Sequence, residues 1–101
     1  MQTIHWTDRE SRVNFCKNVI GIGKQVTSFV VDKHHKNGPE IHTITTTGLI
    51  VIRNYFTKKL VTILIARPGQ IHRYYAERGI KTPKELMEIA HKHEELGYNY
   101  K

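Results

Sequence analysis

The sequence predicts an α+β domain: a four-stranded antiparallel meander with one N-terminal and two C-terminal helices. Three observations carry this. Helix-capping patterns stand near both ends of the chain. Between them lie four segments rich in Ile, Val and Thr, parted by short turn sequences. Those links are too short for parallel crossovers, which need about a dozen residues or more.

The first helix is announced by Thr7-Asp8-Arg9-Glu10, a capping box in which the Thr7 hydroxyl accepts from the Glu10 amide and Glu10 reaches back. Val13, Cys16, Val19 and Ile20 follow at helical spacing, and Gly21 offers a stop. The strands are read at Val26–Val31, Glu40–Thr46, Leu49–Asn54 and Leu60–Ala66. Turn chemistry divides the last three at Thr47-Gly48 and at Asn54 to Lys58, and Lys36-Asn37-Gly38-Pro39 precedes the second. Leu60 to Ile65 is apolar on both faces, which predicts a central place in the meander. A short helix is expected from Pro68 to Gly79 with Ile71, Tyr74 and Tyr75 inward. Thr82-Pro83-Lys84-Glu85 repeats the capping box with proline at the first helical position. Leu86, Ile89, Ala90 and His93 then form one stripe, and Gly97 ends it. Val13, Val61, Ile63, Ile65 and Leu86 are expected in the core.

Length allows one domain, residues 1–101, with a single core. No apolar run approaches the roughly 20 residues of a membrane helix. Met1 to Trp6 has neither the charged lead nor the apolar centre of a signal peptide. The expectation is a soluble, cytoplasmic protein with no membrane partner. The single Cys16 precludes an internal disulfide and suits a reducing compartment. Its place in the helical stripe predicts a buried thiol.

Net charge is +7, and it is segregated. From Arg53 to Lys84 there are eight basic residues and one acid, Glu77; the rest of the chain balances. Such a patch suits a polyanion, RNA or single-stranded nucleic acid, although a solvated face would also keep the protein soluble. Lys58, Lys59, Arg67 and Arg73 are the candidate phosphate contacts. Tyr55 and Phe56, in a turn, are the candidates for base stacking.

His34 and His35 end the first strand, and Glu40 and His42 begin the second. A hairpin brings the four together at its loop. Imidazole beside a carboxylate suits general acid–base chemistry near neutral pH. The alternatives are ordinary loop residues or metal ligands; the spacing fits no zinc signature, so no metal and no cofactor are expected. His91 and His93 point about 200° apart on a helix and cannot share a ligand. Arg67-Pro68-Gly69-Gln70 joins a strand to a helix N-terminus and suits a phosphate, or else a local cap. The threonines at 43, 45, 46, 47 and 62 fit β-propensity better than ligand binding. Gly21-Ile22-Gly23-Lys24 lacks the spacing and following hydroxyl of a phosphate loop.

Glu40-Ile41-His42 through Asn54, then Lys59 to Pro68 and Ile71-His72-Arg73-Tyr74-Tyr75, resembles short uncharacterised proteins of phages and prophages of low-GC Gram-positive bacteria. More distantly, a basic four-strand meander packed with helices resembles the RelE/colicin/barnase-like ribonuclease toxins. That resemblance implies metal-independent RNA cleavage on the sheet, with His42, Glu40, Arg53, Thr62 and Arg67 as the positions able to serve. For the ribonuclease route, His42 or Glu40 is the expected base at a 2′-hydroxyl, and Arg53 or Arg67 the expected phosphate stabiliser. A phage source implies a further class, an anti-defence inhibitor such as an anti-CRISPR protein, which binds a host nuclease by protein–protein contact.

Overall fold

The computed structural model describes residues 8–32 and 38–98. Helix α1 spans Arg9–Phe15 and passes into a π-helical segment, Cys16–Ile20. Strands β1 (Gln25–Val31), β2 (Glu40–Thr45), β3 (Leu49–Asn54) and β4 (Leu60–Ile65) follow, then helices α2 (Pro68–Ala76) and α3 (Lys84–Glu95). The strands form one antiparallel sheet in the order β1-β2-β3-β4. The expected fold class is the one found. No described helix is long and apolar enough to cross a membrane.

Helices cover both faces of the sheet. On one face Phe29, Ile44, Ile50 and Ile52 pack with Ile71 and Tyr75 of α2 and with Leu86 and Ala90 of α3. On the other, Leu49, Val51, Ile63 and Ile65 pack with Val13 and Cys16. Burying each large aliphatic side chain contributes about 1.5–3 kcal/mol. This layering corrects the place assigned to β4. Ile63 and Ile65 are buried under the N-terminal helix and Leu64 is half-buried against the α2–α3 layer, so β4 is apolar on both faces while standing at the edge of the sheet. The inner strand with the most buried run is β3.

An edge strand exposes unpaired backbone groups. On β4 two arginines of α1 take them. Arg12 Nε donates to Ile63 O at 2.9 Å, its Nη2 donates to Thr62 Oγ1 at 2.7 Å, and Arg9 donates to Val61 O. The pairing slips between Ile52 and Arg53, which skips Val61. Val61 is therefore exposed, contrary to expectation, whereas Val13, Ile63, Ile65 and Leu86 are buried.

Three further details depart from the sequence reading. Thr7 lies outside the described residues, and the N-cap of α1 is Asp8, which accepts from Ser11 N at 2.7 Å. Pro83, not Thr82, stands at the N-cap of α3, with no side-chain cap. The wider π-turn, closed by Gly21 N to Cys16 O at 2.8 Å, rotates Val19 off the apolar stripe into solvent. Cys16 is fully buried; burial, opposed by the nearby Arg12 charge, pushes its thiol up to about 11.

Candidate functional site

Alternation along β2 puts Glu40, His42 and Ile44 on the face covered by α2 and α3. Helix α2 crosses that face and sets Tyr74 over His42. The result is a hydrogen-bonded chain of three side chains. Tyr74 Oη bonds His42 Nδ1, and His42 Nε2 lies 3.1 Å from Glu40 Oε1. Burial raises the Tyr74 phenol above its ordinary value. The Arg78 charge opposes this, while Glu40 and Glu77 reinforce it. A phenol that holds its proton donates it to Nδ1, which leaves the His42 Nε2–H to donate to Glu40. His42 itself is only 8% exposed.

Beside this chain opens a cleft of about 410 Å³, within the range of small-ligand sites. Val30, Val31 and Asp32 form its outer wall; His42 and Tyr74 line it; Arg73, Glu77 and Arg78 come from the end of α2 and the turn after it. Arg78 is committed to the fold. Its guanidinium lies over Phe29 at 4.3 Å and donates to Tyr74 O and Val30 O at 3.1 and 3.3 Å. Phe29 in turn stacks on Tyr74, with ring centroids 5.5 Å apart. Arg73 is exposed and its guanidinium has no hydrogen-bond or ion-pair partner among the described residues, so it is the cation in the cleft left for a ligand.

The β3–β4 turn adjoins the same end of the sheet, tied to the start of β2 by Tyr55 N to Pro39 O at 3.1 Å. Asn54 Oδ1 organises it by accepting from the amides of Phe56 and Thr57, both at 2.9 Å. Lys58 Nζ donates to Tyr55 O at 2.6 Å and stands 4.6 Å from the Tyr55 ring centroid. Phe56 is 71% exposed, and Lys59 is exposed beside it. Both aromatics named from sequence are thus accessible.

The sequence-derived catalytic set does not assemble. Arg53 is the cross-strand partner of Ile41, so it shares Ile41's face and points away from Glu40 and His42. Arg67 lies beyond the far end of β4, about 20 Å of strand from Leu60. There its backbone amide is bonded to Gln70 Oε1 at 2.9 Å, a local cap. His34 and His35 lie outside the described residues. Thr62 is held by Arg12 at the guarded edge. The sequence reads Tyr74 as an inward core residue and gives Arg78 no role; the i, i+4 spacing of Tyr74 and Arg78 beside Arg73 is the signal that points to the cleft. Among the described residues no group of three or more His, Cys, Asp or Glu side chains is placed to hold a metal ion. Comparison with family models, with curated proteins and with solved structures finds no match.

Proposed function

We propose that the protein binds RNA across the end of the sheet formed by the β3–β4 turn and the cleft, and cleaves it there without a metal ion. The observation that carries this is the Glu40–His42–Tyr74 chain, which ends at a cleft holding Arg73, whose guanidinium has no partner among the described residues. In this reading Tyr55 and Phe56 stack on bases, and Lys58, Lys59 and Arg73 meet phosphates. An attacking 2′-hydroxyl gives its proton to the Tyr74 oxygen as the phenol proton passes to His42 Nδ1. The imidazolium so formed is stabilised by the Glu40 carboxylate. The new oxygen–phosphorus bond expels the 5′-oxygen, which takes the proton back through Tyr74, and a cyclic phosphate remains.

The exposed Phe56 ring and its neighbouring lysines also favour a second reading, an inhibitor that anchors on an acidic host nuclease through this turn. One experiment separates the two. The whole chain is incubated with single-stranded RNA in EDTA, and product ends are mapped. A cyclic phosphate product lost in Tyr74→Phe supports the ribonuclease. Salt-sensitive RNA binding without cleavage leaves the binding half standing and removes the enzyme. Absence of both leaves the inhibitor reading.

A further inference from the structure

We infer that Arg78 is the positioning residue of the site: its guanidinium clamps the end of α2 to β1 and so holds the Tyr74 hydroxyl on His42. The catalytic consequence rests on the RNA-cleavage reading; the clamp itself does not. Phe29 is the cross-strand partner of His42, so the two rings stand side by side on the face that α2 covers. Tyr74 lies against both. It stacks on Phe29, with ring centroids 5.5 Å apart and an angle of 11° between the planes, and it meets His42 at 5.6 Å with a tilt of 55°. That placement brings its hydroxyl to Nδ1.

Arg78 fixes this arrangement through three contacts made by one planar group. At the end of α2 the Arg78 amide bonds to Tyr75 O, and the Tyr74 carbonyl takes the Arg78 side chain, with Nη1 donating at 3.1 Å. Nη2 donates to Val30 O, next to Phe29 on β1, at 3.3 Å. The guanidinium carbon stands 4.3 Å from the Phe29 ring centroid. One side chain therefore ties the Tyr74 backbone to the strand and covers the ring on which Tyr74 stacks. Its charge also opposes the upward push of burial on the Tyr74 phenol. In the proposed step the Tyr74 oxygen receives one proton while it passes another to His42 Nδ1, so it must stay aligned with both. A misplacement of about 1 Å can cost about 100-fold in rate. The two cleft arginines thus divide the work: Arg73 meets phosphate, and Arg78 aligns the phenol.

The test compares Arg78→Met, Arg78→Lys, Arg73→Ala and Tyr74→Phe in the whole chain. The Arg78 side chain is 31% exposed, so its variants should fold, as circular dichroism will check. The first readout needs no RNA. It is the nitrogen NMR resonance of His42 Nδ1, which moves when its hydrogen bond is lost. Tyr74→Phe should move it, Arg78→Met should move it in the same direction, and Arg73→Ala should leave it in place. The second readout is cleavage of single-stranded RNA in EDTA. Arg78→Met should lower kcat about 10–100-fold with KM unchanged, whereas Arg73→Ala should raise KM. Arg78→Lys keeps the charge but loses the flat fork, and should follow Arg78→Met in both readouts. An Nδ1 resonance that stays in place in Arg78→Met or in Tyr74→Phe overturns the inference. So does full recovery in Arg78→Lys, or a raised KM with normal kcat in Arg78→Met, which would make Arg78 a phosphate contact. A wild type that cleaves no RNA removes the ribonuclease reading, and the Nδ1 resonance still decides the clamp.

Discussion

Among the described residues two histidines are buried, at opposite ends of one sheet, and they live in contrasting surroundings. His42 bonds through both ring nitrogens, to Tyr74 and to Glu40, and lines an open cleft. His93 is 5% exposed at the other end, beside Tyr98 and the β2–β3 turn, and its Nδ1 has no hydrogen-bond partner among the described residues. Burial lowers its proton affinity, and Lys92 lowers it further. The first imidazole is surrounded by groups that can receive or return a proton. The second is packed as if it were an apolar ring. Burial alone therefore does not mark a working histidine; its hydrogen-bond partners do.

The largest effect should fall on His42. His42→Ala should retain the fold and lose RNA cleavage by at least about 100-fold, measured as initial rate in EDTA. Under the same assay His93→Leu should cleave at the wild-type rate. Full activity in His42→Ala would break the contrast, because both histidines would then be structural.

Gly48→Ala tests the closed end. Gly48 has φ +80°, and an added Cβ would sit 3.0 Å from Ile89 Cγ2 and 3.2 Å from His93 Cε1. The variant should lose about 1–3 kcal/mol in urea unfolding, from backbone strain and overpacking together. Its RNA affinity, compared while folded, should not change. A neutral result would mean that the His93 end yields more easily than its packing implies.

At the open end, Lys58, Lys59 and Arg73 all changed to Ala should lower the slope of log affinity against log salt by about 2 for single-stranded RNA. Fluorescence anisotropy reads this directly. An unchanged slope would take the RNA track away from this end.

The smallest effect concerns pH. The His93 pKa is lowered on folding from an ordinary 6.5. Below that value the unfolded chain takes up a proton that the folded chain resists. Stability should fall as pH drops through 6.5 towards the folded pKa, and should be level above it. His93→Leu should flatten this part of the urea midpoint profile between about pH 7 and about pH 5. An equal slope in both proteins would place the acid sensitivity elsewhere.

The fold was largely legible because it rests on periodicity. Leu49–Asn54 was bounded correctly, and the other strands to within a residue. What escaped was tertiary. Val61 looks like a core residue until the slip beside Arg53 turns it outward, and β4 looks central because it is apolar on both faces, yet it stands at the edge with a helical layer on each side. The site was half legible. Glu40 and His42 share a face by strand alternation, which sequence alone provides. Arg53 depended on the β2–β3 register, and Arg67 on which end of the sheet it reaches; neither is local information. Tyr74 sits next to the core residue Tyr75 on a short helix, and spacing alone could not tell the ring facing the cleft from the ring filling the core.

The arginine clasp on β4 bears on the order in which the molecule assembles. Neighbouring strands of the meander meet across short turns, whereas Arg12 reaches Ile63 across 51 residues and Arg9 reaches Val61 across 52. Loop closure makes such distant contacts late. On a ribosome α1 emerges before the strands, yet its two arginines have nothing to hold until β4, the last strand, has been synthesised. Helix α1 should thus be a late-docking unit whose amides exchange with deuterium sooner than those of β2 and β3, and Arg12→Ala should speed that exchange while leaving the inner strands as protected as before.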